Sequence, residues 1–323
     1  MRTASLISLS VAAMLIVLLE QIPLAGQSNM WAPPRTSDGQ PDLQGIWTNA
    51  TVTPLERPAE LAGKQVFTDE EAAEFAKKTV QATNADRRDI PPEVDVARAY
   101  NQFWYDRGTN VVSTKRTSLI VDPADGRIPP LTPQAQKKVD QFAQMRALHP
   151  ADGPESRTLQ ERCIKWATAG PPMLPGPYNN NYQIVQVPGY LIILVEMIHD
   201  ARIIPLDGRP HLPGNIRSWL GDARGHWEGN TLVVETTNFR PDATYRNTTP
   251  ESLHLTEKFT RVSPDTIQYQ FTVEDPSTFS RPWTASIPMT KVPGPVYEYA
   301  CHEGNYAMEG ILSGARADEK KAK

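Results

Sequence analysis

The sequence predicts a mainly β protein: an antiparallel barrel or sandwich, a lipocalin-like barrel being favoured, joined to a Pro-rich N-terminal half with two helices. From Tyr182 onward, short apolar or alternating runs recur between turn residues, with no helical crossover among them. The 30 prolines are frequent from Pro33 to Pro177, which favours long ordered loops over a helical bundle. In Ile267, Tyr269, Phe271 and Val273, apolar side chains alternate with Gln268, Gln270, Thr272 and Glu274, so one face is buried and the other wet.

The chain begins as a secretory signal peptide does. Arg2 supplies the positive charge, and residues 6–19 are apolar apart from two serines, a short length for a membrane span. Glu20 and Gln21 end that run, and Leu24-Ala25-Gly26 offers small residues for cleavage. An uncleaved anchor helix is the other reading. No later run is long enough to cross a bilayer, so no stable membrane span is expected after cleavage and the mature chain is expected to be secreted or periplasmic. Residues 1–26 are read as the signal peptide and 27–178 as the Pro-rich region packing on the barrel. Residues 179–316 are read as the antiparallel β-domain, and 317–323 as a disordered tail.

Within the Pro-rich region, Gly45–Thr48 reads as a short strand. Thr68-Asp69-Glu70-Glu71 is a capping box that predicts a helix over 69–81. Thr117–Val121 reads as a strand before a turn. Thr132-Pro133 opens a second helix to Leu148, with Thr as N-cap and Pro at the first helical position. In the β-domain the predicted strands are 182–187, 190–196, 202–206, 219–221, 231–238, 253–262, 266–274, 283–289 and 296–301.

The net charge of −4 and the scattered basic residues exclude a nucleic-acid binder. Cys163 and Cys301 are the two cysteines, and an oxidising compartment favours their pairing. Closing a loop that long stabilises by roughly 4 kcal/mol in the chain-entropy picture. Two separate buried thiols are the alternative.

Candidate chemistry is sparse. Glu196 ends the apolar run 191–195, where desolvation raises a carboxyl pKa, and His199 is its candidate partner. His302 follows 296–301 on the face opposite Tyr297, Tyr299 and Cys301. Glu196, His199 and His302 are therefore the candidate acid–base residues, against a plain reading as turn and clasp residues. Glu257 interrupts the apolar face of Leu253, Leu255 and Phe259, so it needs an arginine, Arg202 or Arg281, or it is a cavity carboxylate. Trp104, Tyr105, Asn180, Tyr182 and His226 complete the candidate ligand-binding set. No HExxH or CxxC occurs, so no metal is assigned. No Gly-rich phosphate loop, G-x-S-x-G elbow or dinucleotide fingerprint occurs, so no cofactor is implied.

The segments PDLQGIW (41–47), NNNYQIVQVPGY (179–190), EMIHDARIIPLDGRPHLP (196–213), GHWEGNTLVVETTNF (225–239) and YEYACHEGNYAMEGILSGAR (297–316) carry a resemblance. With them the chain resembles a broad group of secreted proteins from soil and marine bacteria. The resemblance covers most of the mature chain. It implies secretion and a shared fold, and it transfers no catalytic residue.

The functional expectation is a secreted small-molecule-binding protein whose barrel cavity takes an apolar or amphipathic ligand, lipid-like or aromatic. A cofactor-independent isomerase, lyase or hydrolase using a His/carboxylate set in the same cavity is the second reading. An envelope interaction module is the third. Fold alone does not separate them.

Overall fold

Alternating apolar residues build one antiparallel sheet in the computed structural model of the chain, which describes residues 31–89, 91, 93, 101–243 and 250–321. The chain divides into Met1–Ala32 and Pro33–Lys323, and every element named here belongs to the second unit. The expected signal peptide, 1–26, lies outside the described residues.

The strands are β1 (Gly45–Thr48), β2 (Ile120–Asp122), β3 (Asn181–Val187), β4 (Tyr190–Val195) and β5 (Ala201–Pro205) in the first part of the unit. β6 (Asp222–Glu228), β7 (Thr231–Thr237), β8 (His254–Ser263), β9 (Thr266–Glu274) and β10 (Trp283–Lys291) follow. Their order is β5-β4-β3-β1-β10-β9-β8-β7-β6, with β2 attached to β10. β1, from the Pro-rich region, therefore joins the two meanders.

The edge strands β5 and β6 face one another, so the sheet is barrel-like and nearly closed. Gly225 on β6 makes this approach possible. A Cβ there would stand 2.6 Å from Leu206 Cδ2 and 3.1 Å from Ile204 Cγ2, so the missing side chain is the space these two occupy. Pro288 sits inside β10 without breaking a ladder. β1 pairs with Thr290 and Lys291, β2 pairs with Thr284 and Ala285, Ser286 N donates to Leu119 O, and the stretch from Ile287 to Met289 is in register with β9 alone. A residue without an N–H is tolerated in such a gap.

Period-two geometry sends Leu255, Glu257 and Phe259 of β8 inward opposite Val273, Phe271 and Tyr269 of β9. Trp47, Tyr182, Phe259, Tyr269, Phe271 and Trp283 are all fully buried there. The interior is thus a packed aromatic and aliphatic core.

Three α-helices occur among the described residues rather than the two expected: α1 (Asp69–Thr83), α2 (Pro133–Leu148) and α3 (Tyr306–Lys321). α1 starts on the reciprocal capping box. Thr68 Oγ1 accepts from Glu71 N at 3.3 Å, and Glu71 Oε2 accepts from Thr68 N at 2.9 Å. α2 starts on Thr132, whose hydroxyl accepts from Ala135 N at 3.1 Å. α3 is a correction to the sequence reading, since 317–321, expected in a disordered tail, continue it.

Two predicted strands do not form. Residues 296–301 run without a ladder. Pro293 and Pro295 remove donors just before them, and both neighbours of β10 are already taken by β9 and by β1 and β2. Residues 219–221 form a turn in which Gly221 has φ +74°. The two cysteines are joined as expected, with Cα atoms 5.8 Å apart. Among the described residues, no helix is long and apolar enough to cross a membrane.

Candidate functional site

Among the described residues, a charged cluster inside the sheet is fully engaged. Arg202 alternates inward on β5 between the outward Ala201 and Ile203, the latter 62% exposed. Its guanidinium grips Glu257 in two prongs, Nη1 donating to Oε1 at 3.1 Å and Nη2 donating to Oε2. Tyr269 adds its hydroxyl to Glu257 Oε1 at 2.8 Å, and Met173 N donates to the same hydroxyl at 3.0 Å. Burial, with Glu257 beside it, pushes the Tyr269 phenol well above its ordinary range. Of the two arginines weighed for Glu257, Arg202 is the partner; Arg281 pairs with Asp122 at the surface.

At the rim the polar groups are not saturated. Lys165 is buried, and among the described residues no hydrogen bond or ion pair engages its Nζ, which stands over the Phe239 ring at 5.7 Å. Burial, and then the positive charge of Arg202, push the amine down to about 8. Lys165, Trp166, Val195, Ile198, Asp200 and Arg202 contribute to the lining of a cavity of about 10 Å³, the scale of one water. Burial raises the Asp200 carboxyl, and the nearby charge of His302 opposes that rise.

Local structure holds these groups in place. The turn between β4 and β5 is closed by Val195 N donating to Asp200 O at 2.9 Å, with Ile198 and His199 in left-handed conformation at φ 67° and 61°. A β-branched residue rarely adopts that region, and such strain gathers at functional sites. Cys163, two residues before Lys165, is also left-handed at φ 54°. Its disulfide, together with Asn305 Nδ2 donating to Glu161 O at 2.8 Å, ties the lysine-bearing loop to the segment that carries His302. A separate open groove of about 340 Å³ runs beside the disulfide. Outward from Trp166, an aromatic row continues through Tyr178 at 5.9 Å to Tyr105 at 6.3 Å, with Arg107 stacked on Tyr105 at 3.8 Å.

The sequence candidates fall in several places. Glu196 is buried; Asn181 Nδ2 donates to its Oε2 at 2.7 Å and Tyr297 N to its Oε1 at 3.5 Å. His199 is exposed on the strained turn, and His302 is exposed but close enough to Asp200 to act on it. Trp104 is exposed and packs edge-on against Phe103, while Tyr105 belongs to the aromatic row. Asn180 is occupied by its own loop: Oδ1 accepts from Gly176 N at 2.6 Å, and Nδ2 donates to Gly176 O and Asp106 O. Tyr182 is inside the sheet, with Asn49 Nδ2 donating to its hydroxyl at 3.3 Å. His226 lies exposed on β6, 3.3 Å from Glu228, and Glu257 is the buried partner of Arg202.

Lys165, Trp166 and Asp200 are the rim residues that sequence reasoning missed. The one available signal was a lysine set in a largely apolar stretch next to a cysteine and a tryptophan, in Cys163-Ile164-Lys165-Trp166. Among the described residues, no three His, Cys, Asp or Glu side chains gather as metal ligands would. Compared with models of known families, with curated proteins and with solved structures, the chain matches none of them.

Proposed function

We propose that the protein binds a small amphipathic molecule at the rim of the nearly closed sheet. An oxygen-bearing head group would meet Lys165, and an apolar or aromatic body would lie along Trp166, Tyr178 and Tyr105. The observation that carries this reading is the buried Lys165 Nζ, which has no hydrogen bond or ion pair among the described residues. Burying a cation without a partner costs folding energy, so its retention points to a ligand that supplies the acceptor. A head-group oxygen entering this water-sized cavity does so. Neighbouring Arg202 is already neutralised by Glu257, which leaves Lys165 as the free positive charge of the pair.

A lipocalin-like arrangement with the ligand enclosed by the strands is not part of this reading, because aromatic side chains occupy that interior. Export remains part of it: the disulfide suits an oxidising compartment, and the motif resemblance to secreted bacterial proteins agrees. The acid–base enzyme is a second reading, favoured by Asp200 on the cavity wall, with His302 close enough to act on its carboxyl, rather than by Glu196, whose carboxylate accepts two protein hydrogen bonds.

Thermal denaturation with octanoate or phenylacetate is the test. The wild type is expected to melt higher with either carboxylate, and Lys165→Met to lose that response. A flat wild-type response to both, or an equal response in Lys165→Met, rejects the rim site.

A further inference from the structure

We infer that Lys165 is a covalent capture site for aldehydes and ketones, its amine condensing with the carbonyl carbon at the mouth of the rim cavity to form an imine. The inference rests on the rim-binding reading and narrows its substrate class to carbonyl compounds with an apolar or aromatic body.

Three features of the site carry it. The buried Lys165 side chain lines a small rim cavity, and among the described residues no ion pair with a carboxylate engages its Nζ. A structural buried lysine is normally paired. Here the carboxylate inside the sheet, Glu257, is gripped in two prongs by Arg202 from β5, and Arg202 in turn repels a proton on Lys165. The amine is therefore available as a nucleophile near neutral pH, as in other lysines desolvated beside a second cation. The walls are mixed in a way that suits the chemistry. Trp166, Val195 and Ile198 are apolar and favour loss of water from the adduct, while Asp200 lies on the same wall with a carboxyl raised by burial.

The step balances without an oxidant or reductant. The Nζ lone pair attacks the carbonyl carbon, and the π pair moves to the oxygen. A proton passes from nitrogen to that oxygen, giving a carbinolamine. Asp200 passes a proton from solvent to the hydroxyl, which leaves as water while the nitrogen lone pair forms the C=N bond. The second nitrogen proton leaves the iminium through Asp200 to solvent when the neutral imine forms. Hydrolysis reverses each step. His302 is exposed and close enough for its charge to act on the Asp200 carboxyl.

The neutral fraction of an amine titrating near 8 exceeds that of an ordinary lysine on the order of 100-fold at pH 7. The full mature protein is incubated at pH 7 with substoichiometric phenylacetaldehyde and cyanoborohydride, then mapped by mass spectrometry. Reductive alkylation is expected at Lys165 at least about tenfold above any other lysine. Unfolding in urea before labelling is expected to abolish the preference. Asp200→Asn is expected to slow labelling while phenylacetate still raises the melting temperature. Phenylacetate binding with no preference for Lys165 overturns the covalent inference and leaves the rim-binding reading standing. Absence of both overturns both. Where Lys165→Met fails to fold, Lys165→Arg serves: continued selective labelling at the rim loop in that variant overturns the assignment.

Discussion

The sheet interior and its rim both bury cations, and they treat them in opposite ways. Arg202 and Glu257 lie within the core with every strong partner present: a two-pronged ion pair, a tyrosine hydroxyl on the carboxylate and a backbone N–H on the tyrosine. Lys165 lies next to that cluster with no ion pair among the described residues, beside a turn held in left-handed conformation at Ile198 and His199. The contrast teaches where this molecule spends stability. A saturated buried pair fixes which strands face each other, since it bonds β5 to β8 across the interior. An unsaturated cation and a strained turn contribute nothing to the fold, and their cost is the kind that binding sites carry.

The largest expected effect tests the saturated half. Glu257→Gln leaves the Arg202 charge buried and unpaired, so urea denaturation is expected to show a loss of about 3–5 kcal/mol. The double change Arg202→Met with Glu257→Leu is expected to recover most of that loss, because no charge remains to be paired. If the single change costs under about 1 kcal/mol, the interior pair is not the saturated element described above.

Next comes the rim, with the opposite sign. The Lys165 amine in the folded state titrates near 8, below its ordinary 10.5. Below about 8 both folded and unfolded chains carry the proton, and the full penalty for burying the charge is present. Between about 8 and 10.5 the unfolded chain binds more protons, so stability rises with pH; above that window the penalty is gone. Lys165→Met is therefore expected to stabilise at pH 7 by on the order of 3 kcal/mol, the gain shrinking towards pH 10.5. Chemical denaturation at pH 7 and pH 10 measures it. A destabilised variant at pH 7 would mean that the lysine is a structural partner, and the contrast between the regions would collapse.

The smallest effect falls on the seam between them. Gly225→Ala places a methyl group against Leu206 and Ile204, the residues that bring β5 up to β6. A loss of about 1–3 kcal/mol is expected from this overpacking. Because β5 also carries Arg202, labelling of Lys165 by phenylacetaldehyde should change alongside. Unchanged stability would show that the two edges approach less closely than the glycine allows.

Much of the architecture was readable along the chain because it depends on neighbours. The alternation of 267–274 set the inward face of β9, the capping box at Thr68 began α1, and Thr132-Pro133 began α2. Each of these rests on a local rule of period or of hydrogen bonding. The same period put Glu257 on the inward face and demanded an arginine, but left Arg202 and Arg281 equal. Sheet closure decides between them, because it brings β5 over β8 while Arg281 stays outside on Asp122.

Closure also explains the misses. Residues 296–301 have the alternation of a strand, yet a strand needs a long unpaired edge, and β1 and β2 leave β10 only a short gap between them. Glu196 and His199 share one turn, but their side chains do not share an environment, one hydrogen-bonded and buried and the other exposed. By itself the sequence determined the residues' periodicity, the helix starts and the two thiols available for pairing, since these are properties of short stretches and of composition. The tertiary structure alone decided that Lys165 is buried, that Arg202 repels its proton and that Asp200 shares its cavity. Lys165 is remote in sequence from Asp200 and Arg202, and desolvation and charge act on distances that exist only once the sheet has closed.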